Sequence, residues 1–517
     1  MCNRFRFFSL SSRTSFVFAL LASFASFLIL CPTRVSAASN LEPRPELQQI
    51  LSVLFASLSC IFFLGFLRSC LRSRLAKSTL ENQLLAPSPS IDELRSLCDE
   101  RSCSLVRFAI FVPARGESRV IANTLTHLSS LSYDFRYLTI YVITDAREIS
   151  SDGELLTSEV ALQCAERLNE RFGFDFIRVL SVPDGYDGQR LPGKPPSLAS
   201  SKGRALNYAL DILGSADSPV DLIGILDADG RLHRDVLVEA AKSFVCDGSA
   251  VLQGPVLQIS NLDRVDLFGV MAGVELSMHH LSSLARQLQS SRRYPRFLAG
   301  TNYFISPDLL HSVGGWNSLS LVEDAELGLR IFFQSGRWAT WLPSPEIEQT
   351  SPSLQIYLKQ RHRWALGHLQ LLSQIREASL SWHHKLRLYW KVAHSILVAP
   401  LTTLLPILGW TLVLFCVVPS GSSWALALSL SLSLLSLYTW DDFGRGLRLL
   451  NLQSPRPLSL ARVLRHSIAF MLMMPCLMVV QLLPRLRALL QFVFSRRARS
   501  NEIAWYKTER SIEDVVC

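Results

Sequence analysis

Residues 221–229 read DLIGILDAD, an apolar run that leads directly into two carboxylates flanking one alanine. A short, uninterrupted apolar run of this kind predicts a strand that is buried on both faces of a parallel sheet. Three earlier runs have the same character, and they cover residues 106–112, 138–144 and 176–182. The four runs predict one sheet, with the DLIGIL segment (221–226) as a member.

Amphipathic stretches lie between these runs, at residues 118–130, 154–172 and 203–213. Strands that alternate with helices predict an α/β fold with a doubly wound, mainly parallel sheet. Residues 183–201 are rich in Pro, Gly and Ser, which predicts a loop. Ligands of such sheets bind beyond the carboxyl ends of the strands. The polar residues that follow each strand are therefore the first candidates for a functional site.

Carboxylates follow three of the predicted strands. Glu117 comes after the first strand, Asp145 after the second, and Asp227 and Asp229 after the fourth. Two carboxylates around one residue suit a hard divalent cation such as Mg²⁺, which prefers oxygen ligands. An Asp-x-Asp pair also arises by chance in a chain with 43 acidic residues. Its place at the end of a buried strand favours the metal.

Two further segments carry charge at predicted helix starts. Lys202 opens a helix after the loop, where a lysine and a helix N-terminus can both meet phosphate; a solvated lysine is the plainer alternative. Glu323 and Asp324 open another helix, and acids in a first turn complement the helix dipole. The functional alternative is that one of these carboxylates is a general base.

Gln360, Arg363 and Trp364 lie in a helical stretch that precedes a long apolar region. Arg363 can clamp a phosphate and Trp364 can stack on a sugar. Arg and Trp are also common where a helix meets a membrane, so an interfacial belt explains the same residues equally well.

The composition favours a membrane protein. Of the 517 residues, 49% are apolar and 18% charged, and the mean hydropathy is +0.24. These values exclude a disordered or fibrous chain. Five apolar segments approach the length of a bilayer span. They are residues 14–32, 49–67, 394–418, 423–440 and 467–484.

The first apolar segment has a basic start and a small-residue cleavage pattern, so it is either a span or a signal peptide. Basic residues follow the second segment, which predicts a cytoplasmic middle region. Three C-terminal crossings would place a basic tail outside. One apolar segment therefore lies in the interface or re-enters, or residues 467–494 form a hairpin.

The charge and cysteine patterns exclude other classes. The net charge is +9, and its Arg clusters lie beside the apolar segments, which favours anionic lipid headgroups and no nucleic acid. The 11 cysteines are scattered and form no Cys-x-x-Cys pair, so neither a disulfide scaffold nor a zinc site is expected.

The predicted organisation has five parts in chain order. They are an N-terminal membrane region (1–78), a linker (79–103), a cytoplasmic catalytic domain (104–385), a C-terminal membrane region (386–494) and a cytoplasmic tail (495–517).

The order of these motifs resembles that of the membrane-embedded, inverting family 2 glycosyltransferases, which carry a D, D, D, QxxRW pattern and include cellulose, chitin and hyaluronan synthases and ceramide glucosyltransferase. The resemblance covers residues 104–370. It implies a GT-A fold between N- and C-terminal membrane helices, a nucleotide-diphosphate sugar as donor and Mg²⁺ or Mn²⁺ as cofactor. Residues 505–510 resemble a segment that closes over the donor in some members.

The resemblance also implies roles for particular residues. Asp324 matches the catalytic base. The donor-binding set is Glu117, Asp145, Lys202, Asp227, Gln360, Arg363 and Trp364. The metal set is Asp227 and Asp229, with Asp229 as the direct ligand. The acceptor-side set is Gly300, Thr301, Asn302, Glu323 and Trp364.

The implied reaction is sugar transfer with inversion, from a UDP-sugar to a growing polysaccharide, which forms a β-linkage. A glycolipid synthase that adds one sugar to a membrane lipid is the alternative, and a non-catalytic membrane scaffold is a second. The expected location is a bacterial inner membrane, with the catalytic domain in the cytoplasm. Secretion subunits as partners are neither predicted nor excluded.

Overall fold

The computed structural model describes residues 88–149, 155–191, 201–215, 219–289, 297–393 and 453–494, with scattered positions between 396 and 451. The predicted spans 14–32 and 49–67 lie outside the described residues, as do nearly all of 394–418 and 423–440. The contacts divide the chain into two units. The larger contains residues 88–397, 449–459 and 480–494 of the described chain, and the smaller contains the described positions of 440–448 and 460–479.

Ten strands belong to the larger unit, as far as the chain is described. They are β1 (Phe108–Pro113), β2 (Leu138–Asp145), β3 (Ile177–Val182), β4 (Leu222–Ile225), β5 (Arg231–Leu232), β6 (Val251–Gln253), β7 (Val256–Gln258), β8 (Tyr303–Ile305), β9 (Thr340–Trp341) and β10 (Glu346–Glu348).

The helices surround these strands and continue beyond them. They are α1 (Ile91–Glu100), α2 (Ile121–Leu128), α3 (Thr157–Phe172), α4 (Lys202–Gly214), α5 (Val236–Asp247), α6 (Leu267–Gln289), α7 (Pro307–Ser312), α8 (Glu323–Ser335), α9 (Leu354–Glu377), α10 (Trp382–Ala393) and α11 (Leu460–Phe494).

The main sheet has seven strands in the order β3-β2-β1-β4-β8-β6-β9. The four strands predicted from the apolar runs form one parallel block, β3-β2-β1-β4, in which Phe111 of β1 pairs with Tyr141 of β2 and Ile225 of β4. Strand β8 is antiparallel to both β4 and β6. The prediction of a mainly parallel α/β sheet is therefore confirmed, and the reversed strand β8 is an addition that no apolar run indicated.

Helices cover both faces of this sheet, because successive side chains of a strand point to opposite faces. Ile110 and Ile140 face a cluster formed with α2 and α3. Phe111 and Tyr141 face a second cluster formed with α4. All of these side chains are buried. Burial on both faces explains why the four strands read as continuous apolar runs.

A second sheet of three short strands, in the order β5-β10-β7, was not predicted. Strand β10 pairs antiparallel with β5 and parallel with β7. Strands of two or three residues carry too little periodicity to be read from a sequence. This small sheet matters because β10 brings two glutamates beside the end of β4.

The long helix α11 contains the predicted span 467–484. Among the helices of the described residues, none combines the length and the apolar character needed to cross a bilayer.

Candidate active site

The carboxyl ends of β2, β1 and β4 lie side by side, so the residues that follow these strands reach one edge of the sheet. Asp145 is the last residue of β2, Glu117 follows β1, and Asp227 follows β4. Because the four predicted strands are parallel neighbours, these carboxylates share one edge, as the sequence predicted.

A cluster of three carboxylates forms at the end of β4. One oxygen each of Asp227, Asp229 and Glu348 lies within 4.8 Å of the others. The backbone N–H of Gln349 donates to Asp229 Oδ2 at 3.0 Å, and Gln258 Nε2 donates to Glu348 Oε1 at 2.7 Å. These hydrogen bonds fix the direction in which two of the carboxylates point.

This acid cluster fits a hard divalent cation, because it offers carboxylate oxygens from two segments at one point. Asp229 and Glu348 are almost fully buried, whereas Asp227 is partly exposed. The sequence predicted Asp227 and Asp229 and missed Glu348. Alternate residues of a strand face the same side, so the pair Glu346 and Glu348 was the available signal, but β10 was not recognised as a strand.

Glu346 lies near the acid cluster and is fully buried. Thr301 joins it to the end of β4: the Thr301 hydroxyl lies 2.7 Å from Glu346 Oε2 and accepts the N–H of Asp227 at 3.0 Å. Burial, and then the neighbouring charge of Glu348, raises the pKa of Glu346 well above its usual value. Thr301 therefore links the end of β4 in the main sheet to β10 in the three-stranded sheet.

Asn302 is also engaged inside the protein. Its side chain is fully buried, and its amide donates to the carbonyls of Pro255 at 3.0 Å and Ser344 at 3.1 Å. Its φ of 51° lies in the left-handed region that Asn tolerates better than most residues. These contacts and the backbone conformation account for an asparagine at position 302. An acceptor role for Thr301 or Asn302 stays a prediction.

Lys202 joins the acid cluster to the predicted base. Its ammonium donates to Asp227 Oδ1 and to the carbonyl of Gly300. A Cβ placed on Gly300 would lie 3.2 Å from Asp324 Oδ2 and 3.5 Å from Lys202 Nζ, so both groups border the same backbone. The structure therefore brings Lys202, Asp227, Gly300 and Asp324 together.

The charge of Lys202 is stabilised by this arrangement. Burial by itself would lower the pKa of the ammonium, but the charges of Asp227 and Glu323 outweigh it and raise the pKa. Lys202 is therefore a fixed cation between the acid cluster and the first turn of α8.

Glu323 and Asp324 open α8 and form an acidic pair, in which Glu323 is buried and Asp324 is half-buried. Asp324 Oδ1 accepts the N–H of Ala325 at 2.7 Å. Burial raises the pKa of Asp324. Burial, together with the charge of Asp324, raises the pKa of Glu323 to about 7. A carboxylate whose pKa is raised in this way is suited to accept a proton near neutral pH.

Helix α9 carries the Gln-x-x-Arg-Trp residues and begins at the N-cap Ser353. Arg363 donates to the carbonyl of Leu321, just before α8, at 3.1 Å. Its charge offsets part of the rise that burial causes in the pKa of Asp324. Arg363 therefore lies on the side of the predicted base. Gln360 Oε1 accepts the Ser351 hydroxyl at 3.2 Å, which holds its amide against the preceding segment.

Trp364 is held by a neighbour that the sequence did not single out. The Arg361 guanidinium lies 4.8 Å from the centroid of the Trp364 ring and 5.0 Å from that of Tyr357. Glu275 of α6 pairs with Arg361 at 3.3 Å. This stack holds the indole of Trp364 in place. The sequence analysis did not consider Arg361, although it lies inside the Gln-x-x-Arg-Trp segment.

The other end of the sheet edge is already charge-balanced. Asp145 pairs with Arg147 at 3.1 Å and with the buried Arg204 at 3.3 Å. The N–H of Glu117 donates to the Thr157 hydroxyl at 2.8 Å.

Arg204, in the first turn of α4, was not predicted as a functional residue. Roles of Glu117 and Asp145 in holding a nucleoside stay predictions, and the predicted closing segment 505–510 lies outside the described residues.

Comparison with known proteins shows which family the second half of the candidate site is similar to. Residues 222–440 match the family described as "Glycosyl transferase family group 2". This part of the chain is therefore similar to family 2 glycosyltransferases.

Similar curated proteins include "Probable glycosyltransferase YdaM" of Bacillus subtilis, which is 25% identical over 274 residues, 52% of this chain and 56% of that protein. "Beta-monoglucosyldiacylglycerol synthase" of Synechocystis sp. is 26% identical over 285 residues, 54% of this chain and 52% of that protein. The chain thus spans about half the length of these curated relatives.

Among solved structures, the mannosyltransferase PcManGT from Pyrobaculum calidifontis, in complex with GDP-Man and Mn²⁺, is similar with a TM-score of 0.46 and 15% identity. The match covers 87% of this chain and 99% of that one.

Proposed function

We propose that this protein is a family 2 glycosyltransferase that transfers a sugar from a nucleotide-diphosphate sugar, by inversion, to a hydroxyl of a membrane lipid. The observation that carries the proposal is the position of Lys202. It lies between a carboxylate cluster suited to a divalent cation and a half-buried aspartate suited to act as a base. A diphosphate leaving group and an attacking hydroxyl require these two functions side by side.

The donor end of the proposed site is the acid cluster. Asp227, Asp229 and Glu348 would hold Mg²⁺ or Mn²⁺, which when bound offsets the charge of a departing diphosphate. Lys202 and Arg363 add fixed positive charge on the side of Asp324. Fixed charges that need no reorganisation stabilise the developing negative charge of the leaving group.

Asp324 is the proposed general base. It accepts the proton of the acceptor hydroxyl while the hydroxyl oxygen bonds to the anomeric carbon and the bond from that carbon to the diphosphate breaks. Attack opposite the leaving group inverts the anomeric centre, so an α-linked donor yields a β-glycoside. Its raised pKa, caused by burial, makes the carboxylate a stronger base than an exposed aspartate.

The acceptor that we propose differs from the one predicted from the sequence, because of the names of similar proteins. The motif order favoured a growing polysaccharide. Three similar curated proteins carry the name "Beta-monoglucosyldiacylglycerol synthase", at 22–26% identity, and this supports a lipid acceptor. A polysaccharide synthase remains the second candidate, favoured by the Gln360–Trp364 motif beside apolar segments.

We place the protein in a membrane, with the domain on the cytoplasmic side and a bacterial inner membrane as its location. The support is the apolar segments at both ends and the basic residues that follow residues 49–67. A non-catalytic scaffold is disfavoured, because the predicted acidic positions are filled and lie together.

The test is donor turnover by membranes that carry the full-length protein. The membranes receive a panel of radiolabelled nucleotide sugars with Mg²⁺ or Mn²⁺, and the products are separated into lipid-extractable and polymeric fractions. Label in the lipid fraction that Asp324→Asn abolishes supports the proposal and names the sugar. Asp324-dependent label in polymer establishes the second candidate. Donor binding without transfer to either fraction supports the scaffold.

A further inference from the structure

A stripe of large apolar side chains runs along the outer side of α10. Trp382, Leu386 and Trp390 are spaced four residues apart and therefore share one face of the helix. Their exposed fractions are 66%, 57% and 58%. Exposed apolar side chains that are scattered singly are ordinary, whereas an aligned group of them marks an interaction site.

A basic stripe runs beside this apolar stripe. Each apolar residue is followed directly by a basic one, so the basic residues repeat at the same spacing and form a parallel row: His383, Arg387 and Lys391. The helix also carries Lys385, and its sequence contains no acid. The outer side of α10 therefore combines an apolar face with a purely basic border.

The opposite face of α10 is fixed in the protein core. Leu388 and Val392 are each 1% exposed, and they pack in one cluster with Leu366 and Leu369 of α9. This packing determines which side of α10 points outward. The apolar stripe is exposed because the inner face is already occupied.

We propose that α10 lies along the surface of an anionic bilayer, with its apolar stripe in the headgroup layer. Helices with one apolar aromatic face and a Lys- and Arg-rich border bind in this way, and Trp favours the membrane–water boundary. The basic stripe complements anionic headgroups. The uncharged segment 394–418, whose length suits a bilayer span, begins directly after α10.

This placement, which rests on the proposed function, identifies how the acceptor reaches the site. Packed helices have axes about 8–10 Å apart, so α9 lies about one helix diameter from the headgroup layer. Helix α9 carries Arg363 on the side of the predicted base. A headgroup hydroxyl can therefore reach the site while the lipid tails stay in the bilayer.

The test uses the full-length protein in nanodiscs of phosphatidylcholine, with and without phosphatidylglycerol. A trace lipid carries a photoactivatable diazirine near its headgroup, and labelled peptides are identified by mass spectrometry. We expect label on residues 382–391, and more of it when phosphatidylglycerol is present. Helix α3 is the internal control, because it also exposes a leucine, Leu162, at 46%. Equal labelling of α10 and α3 would overturn the proposal.

Paired substitutions test the two stripes separately. Trp382→Ser with Trp390→Ser should remove the label from α10 and raise KM for a lipid acceptor several-fold with kcat unchanged. Arg387→Gln with Lys391→Gln should remove only the response to phosphatidylglycerol. Leu162→Ser is the matched control, and binding of UDP with Mn²⁺ reports folding of every variant. Label that persists on α10 in the double Trp variant contradicts the proposal.

The labelling experiment needs no turnover, so it separates the two proposals. Lipid label on α10 without any sugar transfer supports the docking surface and counts against the proposed function. Transfer to lipid without label on α10 does the reverse. An α10 that is shielded by a co-purifying protein and carries no lipid label would also overturn the docking proposal.

Discussion

The proposed nucleotide end of the site, at Glu117 and Asp145, and the proposed transfer end, around Asp227 and Asp324, differ in the surroundings of their carboxylates. Asp145 lies between two guanidinium groups, at 3.1 Å and 3.3 Å. At the transfer end the half-buried Asp324 lies beside the buried Glu323, and desolvation raises the pKa of both. Asp145 is neutralised by two arginines of the protein, whereas the carboxylates at the transfer end share the charge of Lys202 and gain from a bound cation or proton.

The difference teaches that an acidic residue at a strand end is not by itself a catalytic signal. A carboxylate that is already paired with arginines mainly holds the chain in place. One whose pKa is raised by burial can take up a proton or a metal when the ligand arrives. Removing each group should therefore change a different observable.

The largest effect is expected at the transfer end, from Asp324→Asn. The amide cannot accept a proton, so kcat should fall by about 10²–10⁴-fold while the affinity for UDP with Mn²⁺ is retained. Steady-state kinetics and UDP titration together check this. Asp308→Asn, at an exposed aspartate in the first turn of α7, is the control and should leave kcat unchanged. A normal kcat for Asp324→Asn would contradict the assignment of Asp324 as the base, and with it the proposed difference between the two ends of the site.

Glu348→Gln should have the next largest effect, on the affinity for Mn²⁺. Loss of a residue beside a metal ligand costs about 10–100-fold in affinity, and loss of a ligand should cost at least as much. Titration of Mn²⁺ alone, followed by electron paramagnetic resonance, measures this without turnover. Glu166→Gln, at an exposed position of α3, should not change the affinity. Unchanged binding in Glu348→Gln would reduce the acid cluster to the two aspartates.

Asp145→Asn at the nucleotide end should act on stability more than on kcat. The buried Arg204 loses a charged partner but keeps its bonds to the carbonyls of Pro183 and Tyr186. We expect the free energy of unfolding to fall by about 1–3 kcal/mol, with kcat unchanged at saturating donor. Urea denaturation and kinetics below the transition check both parts. A loss of kcat without a loss of stability would show that Asp145 contributes to turnover, as Asp324 is expected to do.

Lys202→Met should lower kcat through the loss of its fixed charge, and the smallest change we expect is the accompanying shift of the pH profile. Asp324 must be ionised to accept a proton, so kcat/KM falls as the pH drops through its raised pKa. The charge of Lys202 lowers that pKa, so its removal should move the acid limb to higher pH. The position of the limb, not the height of the profile, is the measurement. Lys242→Met, at an exposed lysine of α5, should leave the limb in place. A limb that moves to lower pH contradicts the assignment of Asp324.

Much of the sheet could be predicted because strands buried on both faces must be apolar throughout. The runs at 106–112, 138–144, 176–182 and 221–226 became β1 to β4 with boundaries shifted by one or two residues. Strand β8 could not be predicted, because its direction depends on the strands on either side of it. Its three residues carry no pattern that distinguishes parallel from antiparallel pairing.

The candidate site shows the same limit. Asp227 and Asp229 could be found because they follow a recognisable strand, and Asp324 because it stands in a recognisable motif. Glu348 could not, because it comes from a three-residue strand of the second sheet. The pairing of Asp145 with Arg204 was equally hidden, because residues distant in the chain meet only in the folded molecule.

The sequence by itself determined the local choices: which segments are buried strands, where α4 and α8 begin, and which strand ends carry carboxylates. Those choices depend on apolar runs, periodicity and capping, which act over a few residues. Only the tertiary structure decided that Glu348 completes the acid cluster, that Lys202 joins the cluster to Asp324, and that the apolar stripe of α10 faces outward. Burial and charge pairing decide such matters, and both depend on which distant segments come into contact.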